Sequence, residues 1–468
     1  MAQKNYDAIV LGGGPGGYVC AIRLAQLEQK VLCIEKDEVG GVCLNWGCVP
    51  SKAIIATSHT FEKVKSANNG LLVDNPRIDP EKLQVWKEGI VKKLTGGIRG
   101  LFKSNGVDLV QGDGRFTGPR TLSVKTREGT TETFEATKAV VVATGSSTIE
   151  IPTFEFDGKK IIGAKEAVSL REIPKRLLVI GGGIIGMELG GAYQRFGSEL
   201  VVVEALPGVL TGVDADVAAV VEKAYVKRGA KILKGAKALG YEHQSDGSVA
   251  VRVDVAGKVE TIVTDVVLVA VGMRPNGAGL GLEELGVKIE RGFVPSDNVG
   301  QTNVPGVYAI GDCSSMPMLA HKAMKEGEVV AEVIAGHRAA KDWVAIPGAI
   351  FTDPEIGTVG LGEQQAKERG LDVRVGRFPF AALGRAMAAS ETEGFIKIVA
   401  DKTTHEILGV HIVGPSATDL ISEGALALEM HAFLEDMALT IHPHPTLGEG
   451  MMEAALHGLG QAVHILNR

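Results

Sequence analysis

Two cysteines lie close enough in the sequence to form a reversible disulfide. Cys43 and Cys48 stand at the two ends of the string Cys-Leu-Asn-Trp-Gly-Cys. The chain has five cysteines in 468 residues, and random placement would give this spacing only about four times in a hundred. Five cysteines are also too few for the disulfide framework of a secreted protein. A bridge between these two is therefore expected to be catalytic rather than structural.

Two other interpretations of the cysteine pair stay open at this point. Structural zinc would need further ligands, but neither a second cysteine pair nor a histidine cluster stands nearby. The pair could also be two unrelated buried thiols. The remaining cysteines stand alone, with Cys20 on a predicted helix, Cys33 on a predicted strand and Cys313 at a predicted strand end. We expect these three to be small buried side chains without chemistry.

A histidine near the C-terminus could act as a base. The string His442-Pro-His444-Pro-Thr-Leu-Gly-Glu449 leads into an amphipathic stretch over 450–460. His444 is therefore predicted just before a helix and Glu449 in its first turn, where a carboxylate could orient the imidazole. A histidine in a proline-rich loop is more often an ordinary surface residue. The residues alone leave both interpretations open.

Two glycine-rich motifs could hold dinucleotides. They are Gly12-x-Gly14-x-x-Gly17 and Gly181-x-Gly183-x-x-Gly186. With 61 glycines in the chain, about one such match arises by chance, so the bare pattern decides nothing. Each match, however, follows an apolar strand and opens a helix, and a glutamate, Glu35 or Glu204, stands 23 positions after its first glycine. This shared context predicts two nucleotide sites, although glycine-rich turns without a nucleotide would also fit either motif alone.

The second of these glutamates indicates which nucleotide is bound there. A carboxylate in that place accepts hydrogen bonds from both ribose hydroxyls but repels the 2′-phosphate of NADP. No Arg or Lys stands between Glu204 and Lys223 to attract such a phosphate. We therefore predict NAD rather than NADP.

The order of strands and helices around the motifs repeats, which predicts an α/β fold. Strands over 8–11 and 31–34 flank a helix over 18–28, and strands over 177–180 and 200–203 flank a helix over 187–196. Buried strands over 139–143 and 266–271 are predicted to close the two repeats, since each is stopped by glycine. Proline-bearing segments at 151–152, 173–174 and 346–347 mark boundaries. Beyond residue 346 the pattern changes, with strands predicted over 395–400 and 407–413. This change predicts a separate α+β domain.

Charge and hydropathy exclude several classes of protein. The net charge of −7 makes a nucleic-acid partner improbable. The longest apolar run, over 266–271, is far shorter than the roughly 18 residues of a membrane span, and the N-terminus has no signal-peptide pattern. We expect a cytoplasmic protein without a membrane span.

Four strings together resemble a known family. They cover residues 40–52, 143–145, 310–312 and 444–449, and they are similar to the flavoprotein disulfide reductases with two dinucleotide sites, the pyridine nucleotide-disulfide oxidoreductases. Two longer strings, over 317–323 and 351–357, resemble the dihydrolipoamide dehydrogenases within that family. The likeness extends over nearly the whole chain. One departure is Met273, where the family often has Arg, and it leaves the nucleotide assignment intact.

The resemblance implies two cofactor sites, one for FAD and one for NAD, and no metal. FAD is expected on Gly12, Gly14, Gly17, Glu35, Lys52, Gly114, Thr144, Gly145, Asp312, Met318, Leu319, Ala320 and His321. NAD is expected on Gly181, Gly183, Gly186, Glu188, Glu204 and Gly272. The implied fold has two Rossmann-like dinucleotide-binding domains plus a C-terminal α+β dimerisation domain. Its parts are an FAD-binding domain over 1–148 and 272–345, an NAD-binding domain over 149–271 and an interface domain over 346–468.

The resemblance also implies a reaction. His444 of the partner subunit, oriented by Glu449, would take a proton from a dihydrolipoyl thiol, and the resulting thiolate would attack Cys43. Cys48 would lie nearer the flavin, and Lys52 would pair with Glu188 beside the ring. The expected partners are a second copy of the chain and a lipoyl-bearing acyltransferase or glycine-cleavage carrier protein.

Three other functions are alternatives to this one. Glutathione-type reductases carry basic residues after the second glycine motif for NADPH, and this chain has none there. Reductases with additional C-terminal redox residues are disfavoured because no cysteine follows Cys313. A non-enzymatic flavin redox sensor or scaffold remains the alternative from a different class, and the exchangeable pair Cys43 and Cys48 argues against it.

Overall fold

The computed structural model describes residues 4–66 and 69–467. The first stretch of chain forms a nucleotide-binding domain around a mixed sheet. Its elements are β1 (Lys4–Leu11), α1 (Pro15–Gln26), β2 (Val31–Glu35), α2 (Gly41–Asn45), α3 (Cys48–Lys65), α4 (Pro80–Asn105), β3 (Asp108–Gly118), β4 (Thr121–Thr126), β5 (Thr131–Val142) and β6 (Ser146–Thr148). Parallel β1 lies between β2 and β5. Residues 8–11, 31–35 and 139–142 of these strands are buried, because helix α1 packs on one face and apolar residues of β3, β4 and the segment 280–294 pack on the other.

A second nucleotide-binding domain repeats this plan. Its elements are β7 (Ile161–Ile162), α5 (Ala164–Ala167), β8 (Arg176–Ile180), α6 (Ile184–Phe196), β9 (Glu199–Glu204), α7 (Ala215–Lys227), β10 (Lys231–Lys234), β11 (Ala236–His243), β12 (Val249–Val255), β13 (Lys258–Thr264) and β14 (Val266–Val269). The parallel sheet has the order β10-β9-β8-β14-β7. Strands β11 to β13 form a separate antiparallel sheet, which the sequence analysis did not predict.

The chain then returns to the first domain and completes it. Its elements there are β15 (Met273–Pro275), β16 (Val307–Ala309) and α8 (Ala320–Ile334). Strand β16 joins the first sheet beside β5, and α8 packs closely against α1. Strand β15 pairs antiparallel with β6, so the two places where the chain passes between the nucleotide domains lie side by side. The domain bounds inferred from the sequence stay a prediction.

The C-terminal domain is built on one antiparallel sheet. Its elements are β17 (Gly348–Ile350), β18 (Glu355–Gly360), α9 (Glu363–Glu368), β19 (Val373–Pro379), α10 (Gly384–Ala389), β20 (Phe395–Asp401), β21 (Ile407–Gly414), α11 (Ala417–Glu429), α12 (Leu434–Leu439) and α13 (Glu449–Leu459). The strand order is β17-β18-β21-β20-β19, and α11 and α13 pack on the sheet over a common apolar core. The predicted fold class is therefore confirmed.

Several predicted bounds of helices and strands were wrong by two or three residues. Helices α1 and α6 begin at Pro15 and Ile184 rather than at 18 and 187, because the middle glycine of each motif is already the N-cap and the third glycine lies inside the helix. Helix α1 ends at Gln26, short of the predicted 28, and β14 ends at Val269, short of the predicted 271. Cys313 ends a short 3-10 turn after β16 rather than a strand. The three lone cysteines are fully buried, as predicted.

No helix within residues 4–66 and 69–467 combines the length and apolarity that crossing a membrane would require.

Candidate active site

One large cleft brings together most of the residues singled out in the sequence. It has a volume of about 1920 Å³ and lies between the two nucleotide-binding domains. The predicted site residues that line it are Gly12, Gly14, Glu35, Cys43, Cys48, Lys52, Gly114, Thr144, Gly145, Gly181, Gly183, Glu188, Glu204, Gly272, Asp312, Met318, Leu319 and Ala320. Residues up to 308 positions apart in sequence therefore share one cavity.

Five predicted site residues do not line the cleft. Gly17 and Gly186 lie just behind it, where a Cβ would stand 1.8 Å from the Gly12 carbonyl oxygen and 2.1 Å from the Gly181 carbonyl oxygen respectively. Their role is thus to let a helix pack directly on the turn. His321 turns away, with Nε2 at 2.8 Å from the Pro347 carbonyl oxygen. His444 and Glu449 belong to the C-terminal domain and lie outside the cleft of their own chain.

The first glycine motif forms a tight cradle at the end of β1. Gly12 has a φ of +108°, and a Cβ there would lie 2.3 Å from the Ala143 carbonyl oxygen, so only glycine fits. Glu35, at the end of β2, accepts hydrogen bonds from the backbone N–H of Gly13 (2.7 Å) and of Asp37 (2.8 Å). Burial raises the pKa of Glu35, although these two donors oppose the shift. The carboxylate is therefore fixed beneath the turn, facing the cleft.

The second glycine motif has the same geometry. Gly181 has a φ of +106°, and a Cβ there would lie 2.4 Å from the Ala270 carbonyl oxygen. Glu204 accepts hydrogen bonds from the backbone N–H of Gly182 (2.6 Å) and of Leu206 (2.7 Å). Both motifs leave open backbone at a helix N-terminus, which suits a pyrophosphate. The two cradles and the size of the cleft fit one dinucleotide on each motif.

A buried ion pair shapes the turn that carries Asp312. The backbone N–H of Gly311 donates to Glu326 (2.6 Å), and Lys322 contacts the same carboxylate at 3.3 Å, with both side chains almost fully buried. Asp312 accepts a hydrogen bond from the Ser146 hydroxyl (2.6 Å), and burial raises the pKa of this aspartate. No sequence pattern predicted these supporting residues, although Lys322 lies in one of the strings that carried the family resemblance.

The two cysteines face each other in their reduced form. Cys43 lies in α2 and Cys48 is the first residue of α3, and both thiols are free. A hydrogen bond from Cys43 together with the Lys52 ammonium lowers the pKa of Cys48 to about 7. The same hydrogen bond, together with burial, raises the pKa of Cys43. A helix N-terminus further favours a thiolate on Cys48, so Cys48 is the more readily ionised thiol of this pair.

The turn between the cysteines is held by backbone contacts. The Asn45 side-chain amide donates to the carbonyl oxygens of Gly41 (2.9 Å) and Val39 (3.1 Å). A Cβ at Gly47 would lie 2.8 Å from the Val42 carbonyl oxygen, so the chain passes close to itself just before Cys48. These contacts explain why two separate helices, rather than one, carry the thiols.

Lys52 and Glu188 form the predicted ion pair. The Lys52 Nζ to Glu188 Oε2 distance is 2.8 Å, and the Glu188 side chain is only 5% exposed. The other Glu188 oxygen accepts a hydrogen bond from the backbone N–H of Phe351 at 2.7 Å. The pair therefore joins α3 of the first nucleotide domain to α6 of the second, and the C-terminal domain takes part through Phe351.

His444 and Glu449 form a hydrogen-bonded pair at the surface. His444 Nδ1 lies 2.8 Å from Glu449 Oε1, and the backbone N–H of Thr446 donates to the other oxygen at 2.8 Å. Burial would raise the pKa of Glu449, but these two hydrogen bonds outweigh it and lower the pKa. The His444 side chain is 78% exposed in the single chain. The imidazole is thus oriented, but it meets no thiol of its own subunit's cleft.

Several apolar side chains of the C-terminal domain are exposed in the single chain. They are Leu426, Met430, Leu439 and Ile441, the last of which is 94% exposed. Exposed apolar side chains close together are typical of a surface that another protein covers. Leu439 and Ile441 immediately precede the segment that carries His444.

The fold and the site define a family. The family model "Pyridine nucleotide-disulphide oxidoreductase" matches residues 6–327, and the dimerisation domain of the same family matches residues 346–455. This chain belongs to the pyridine nucleotide-disulphide oxidoreductase family. The cofactors of this family are FAD and NAD, so the two cofactors predicted from the sequence are confirmed. The C-terminal region is the family's dimerisation domain.

Similar proteins indicate which enzymes of the family this chain resembles. A dihydrolipoyl dehydrogenase of Thermus scotoductus is 50% identical over 469 aligned residues, which cover 100% of each chain. A dihydrolipoyl dehydrogenase of Geobacillus stearothermophilus is 48% identical over 99% of this chain and 98% of its own. The crystal structure of LpdA from Mycobacterium tuberculosis superposes with a TM-score of 0.89 at 28% identity, covering 96% of this chain and 98% of that one. These relatives confirm the prediction of an enzyme of the dihydrolipoyl dehydrogenase type.

Proposed function

We propose that this chain works as a homodimer that oxidises a dihydrolipoyl group through the Cys43–Cys48 pair and delivers the electrons to NAD. The observation that supports this best is the position of the thiols. They lie in the same cleft as both dinucleotide cradles, with a lowered pKa at Cys48 and Lys52 one helical turn away. A scaffold or sensor would not need an ionised thiol beside an ion pair that joins both nucleotide domains.

The oxidised enzyme carries a disulfide between Cys43 and Cys48 in this proposal. His444 of the partner subunit, oriented by Glu449, removes the proton of one substrate thiol, and the substrate thiolate attacks Sγ of Cys43. The Cys43–Cys48 bond breaks and leaves a thiolate on Cys48. The second substrate thiol then attacks the first substrate sulfur, which closes the lipoyl disulfide, and its proton passes to the departing Cys43, which leaves as a thiol. The substrate loses two electrons, and the enzyme pair gains them.

The remaining residues bind the cofactors in this proposal. FAD, when bound, supplies the two-electron relay between the dithiol and NAD. FAD would be held by the first cradle with Glu35, Gly114, Thr144, Gly145, Asp312 and the backbone of residues 318–320. NAD would be held by the second cradle with Glu188, Glu204 and Gly272. The Lys52 ammonium places positive charge beside Cys48, where the thiolate forms, and the ion pair with Glu188 holds the ammonium in that position.

The substrate is proposed to be a lipoyl arm on another protein. A lipoyl-bearing acyltransferase or a glycine-cleavage carrier protein would present it, and the enzyme would work in the cytoplasm. Two of the relatives named above are dihydrolipoyl dehydrogenases, which supports this choice of substrate.

The visible spectrum tests the proposal. The purified protein is expected to be yellow, to develop a long-wavelength thiolate-to-flavin band when titrated anaerobically with dihydrolipoamide, and to lose that band when NAD is added. A colourless protein that takes up no FAD would contradict the proposal. So would a flavoprotein whose spectrum does not respond to dihydrolipoamide.

Lys52→Met is expected to raise the pKa of Cys48 by about one unit, because the nearby cation favours the thiolate. The pKa of Cys48 is depressed in the fold, so the ionised thiol stabilises the reduced protein at high pH, and this stabilisation is lost as the pH falls through about 7. The measurement is the thiolate ultraviolet absorbance of the reduced enzyme against pH. Lys63→Met is the matched control, because Lys63 lies on the same helix and pairs with Glu391 at the surface. Equal midpoints in both variants would contradict the role of Lys52.

Glu204→Gln is expected to raise the KM for NAD by about tenfold with a much smaller change in kcat. The amide can accept only one of the two backbone hydrogen bonds and loses the charge that binds the ribose hydroxyls. Steady-state kinetics at saturating dihydrolipoamide give both constants. Glu199→Gln, at the exposed start of the same strand β9, is the control. An unchanged KM in the Glu204 variant would remove this residue from the NAD site.

A further inference from the structure

A short loop of the C-terminal domain reaches the ion pair beside the thiols. This loop covers residues 351–354, between β17 and β18. The Phe351 backbone N–H donates to Glu188 Oε1 at 2.7 Å, while Glu188 Oε2 holds Lys52 at 2.8 Å. The Lys52 Nζ also lies 4.6 Å from the centre of the Phe351 ring, which is the distance of a cation–π contact. Phe351 therefore touches both members of the pair, one through its backbone and the other through its ring.

The same loop is fastened to the second nucleotide domain. Arg228, directly after α7, donates to the carboxylate of Asp353 and to its carbonyl oxygen, the latter at 3.1 Å. Arg195 Nη1, from α6, lies 3.6 Å from Asp353 Oδ2, and the Arg195 side chain is fully buried. The buried Thr352 hydroxyl donates to the Pro354 carbonyl oxygen at 2.8 Å. Two guanidinium groups and one internal hydrogen bond thus fix the backbone on which Phe351 stands.

The loop also meets the helix that begins with Cys48. Arg195 Nε donates to the Ser58 hydroxyl on α3 at 2.9 Å. His59, next to it, lies 3.9 Å from Asp353, and burial together with the neighbouring Arg195 lowers the pKa of His59 to about 4. His59 is therefore neutral at physiological pH, and Asp353 is left to the two arginines. All three domains meet at these few residues.

We infer that Phe351 is a positioning residue of the redox site, which holds the Lys52 ammonium beside Cys48 through its ring on Lys52 and its backbone N–H on Glu188. Asp353 acts through Phe351, because it anchors the loop. The inference rests on the proposed function, in which the charge of Lys52 favours a thiolate on Cys48. Lys52 is a flexible side chain that is 30% exposed, and without the ring one side of its ammonium would face neither a carboxylate nor an aromatic group.

Three variants and one control test this role in the FAD-loaded enzyme. Phe351→Leu keeps the backbone N–H and the apolar character but removes the ring, and Phe351→Tyr restores the ring. Phe395→Leu is the matched control, because it removes another cation–π contact of the same domain, in which the Arg377 guanidinium lies 4.0 Å from the Phe395 ring. Asp353→Asn releases the loop and tests the anchor.

The measurement is the ultraviolet thiolate absorbance of each reduced protein across the pH range, taken as the difference from Cys48→Ser. In Phe351→Leu the midpoint is expected to rise by about half a unit, so that the thiolate population at neutral pH falls about twofold. Phe351→Tyr and Phe395→Leu should keep the wild-type midpoint. Asp353→Asn should shift it in the same direction as Phe351→Leu, and it carries the test alone if the leucine variant does not fold.

The outcomes separate this inference from the proposed function. A wild-type midpoint in Phe351→Leu and Asp353→Asn, with a raised midpoint in Lys52→Met, overturns the role of Phe351 and leaves the proposed function standing. A wild-type midpoint in Phe351→Leu, Asp353→Asn and Lys52→Met overturns both the role of Phe351 and the role that the proposed function gives to Lys52, because Lys52 would then not act on the thiol. A shift of equal size in Phe395→Leu also overturns the inference, since the effect would not be specific to the redox site.

Discussion

Replacing Cys48 with serine is expected to lower the rate of dihydrolipoamide oxidation by more than about a thousandfold, because a serine cannot form the disulfide that accepts the substrate's electrons. The fold should survive, since the exchange of sulfur for oxygen is small and Cys48 is exposed in the single chain. Bound flavin should therefore be retained. The measurement is NADH formation with dihydrolipoamide as donor, alongside the flavin absorbance of the purified variant.

Cys20→Ala is the control for the loss of a cysteine. Cys20 is fully buried on α1 and does not line the cleft, so its replacement should leave turnover close to wild type and change only stability, by about 1 kcal/mol. Wild-type turnover in Cys48→Ser would remove the dithiol from the reaction. Loss of flavin from Cys48→Ser would show instead that the thiol has a structural role in cofactor binding.

His444→Gln is expected to slow the oxidation of dihydrolipoamide by about a hundredfold to ten thousandfold while sparing the reduction of a dye by NADH. The base is needed only when a substrate thiol must lose its proton, since an unassisted thiol with a pKa near 8.5 is mostly protonated at neutral pH. The dye reaction does not use that step. The ratio of the two activities is therefore the measurement that identifies a base.

His337→Gln is the matched control for this histidine. His337 Nδ1 contacts Glu332 at 2.6 Å on the surface of the first nucleotide domain, which reproduces the pairing of His444 with Glu449 at a site without chemistry. Its ratio of activities should equal that of the wild type. An equal fall of both activities in His444→Gln would point to damage to the fold rather than to loss of a base.

The parts of the site that the sequence revealed are those encoded by short strings. A positive φ and a close backbone approach require glycine at positions 12 and 181. Each motif lies in one βαβ unit together with the strand before it and the glutamate after it. Cys43 and Cys48 are equally local. The ion pair of Lys52 with Glu188 spans 136 positions, and it was expected only because of the family resemblance.

Contacts between distant segments could not be predicted in this way. The Phe351 N–H reaches Glu188 across 163 positions, and the Ser146 hydroxyl reaches Asp312 across 166. Neither contact leaves a periodic pattern or a motif, because a backbone N–H or a single hydroxyl can come from almost any sequence. The antiparallel sheet β11 to β13 was not predicted for a related reason: its alternating residues lie between the second glycine motif and the apolar run over 266–271, and both of these give stronger signals.

The paired strands β6 and β15 have a consequence for how such an enzyme can be altered. The chain leaves and re-enters the first domain through neighbouring strands, so the whole intervening unit is an insertion whose two ends lie together. Such a unit can be exchanged for a homologous one without rerouting the polypeptide around it. A graft between these two strands that keeps Glu188, Arg195 and Arg228, which contact Lys52 and Asp353, is expected to change the electron acceptor while the sulfur chemistry stays as it is.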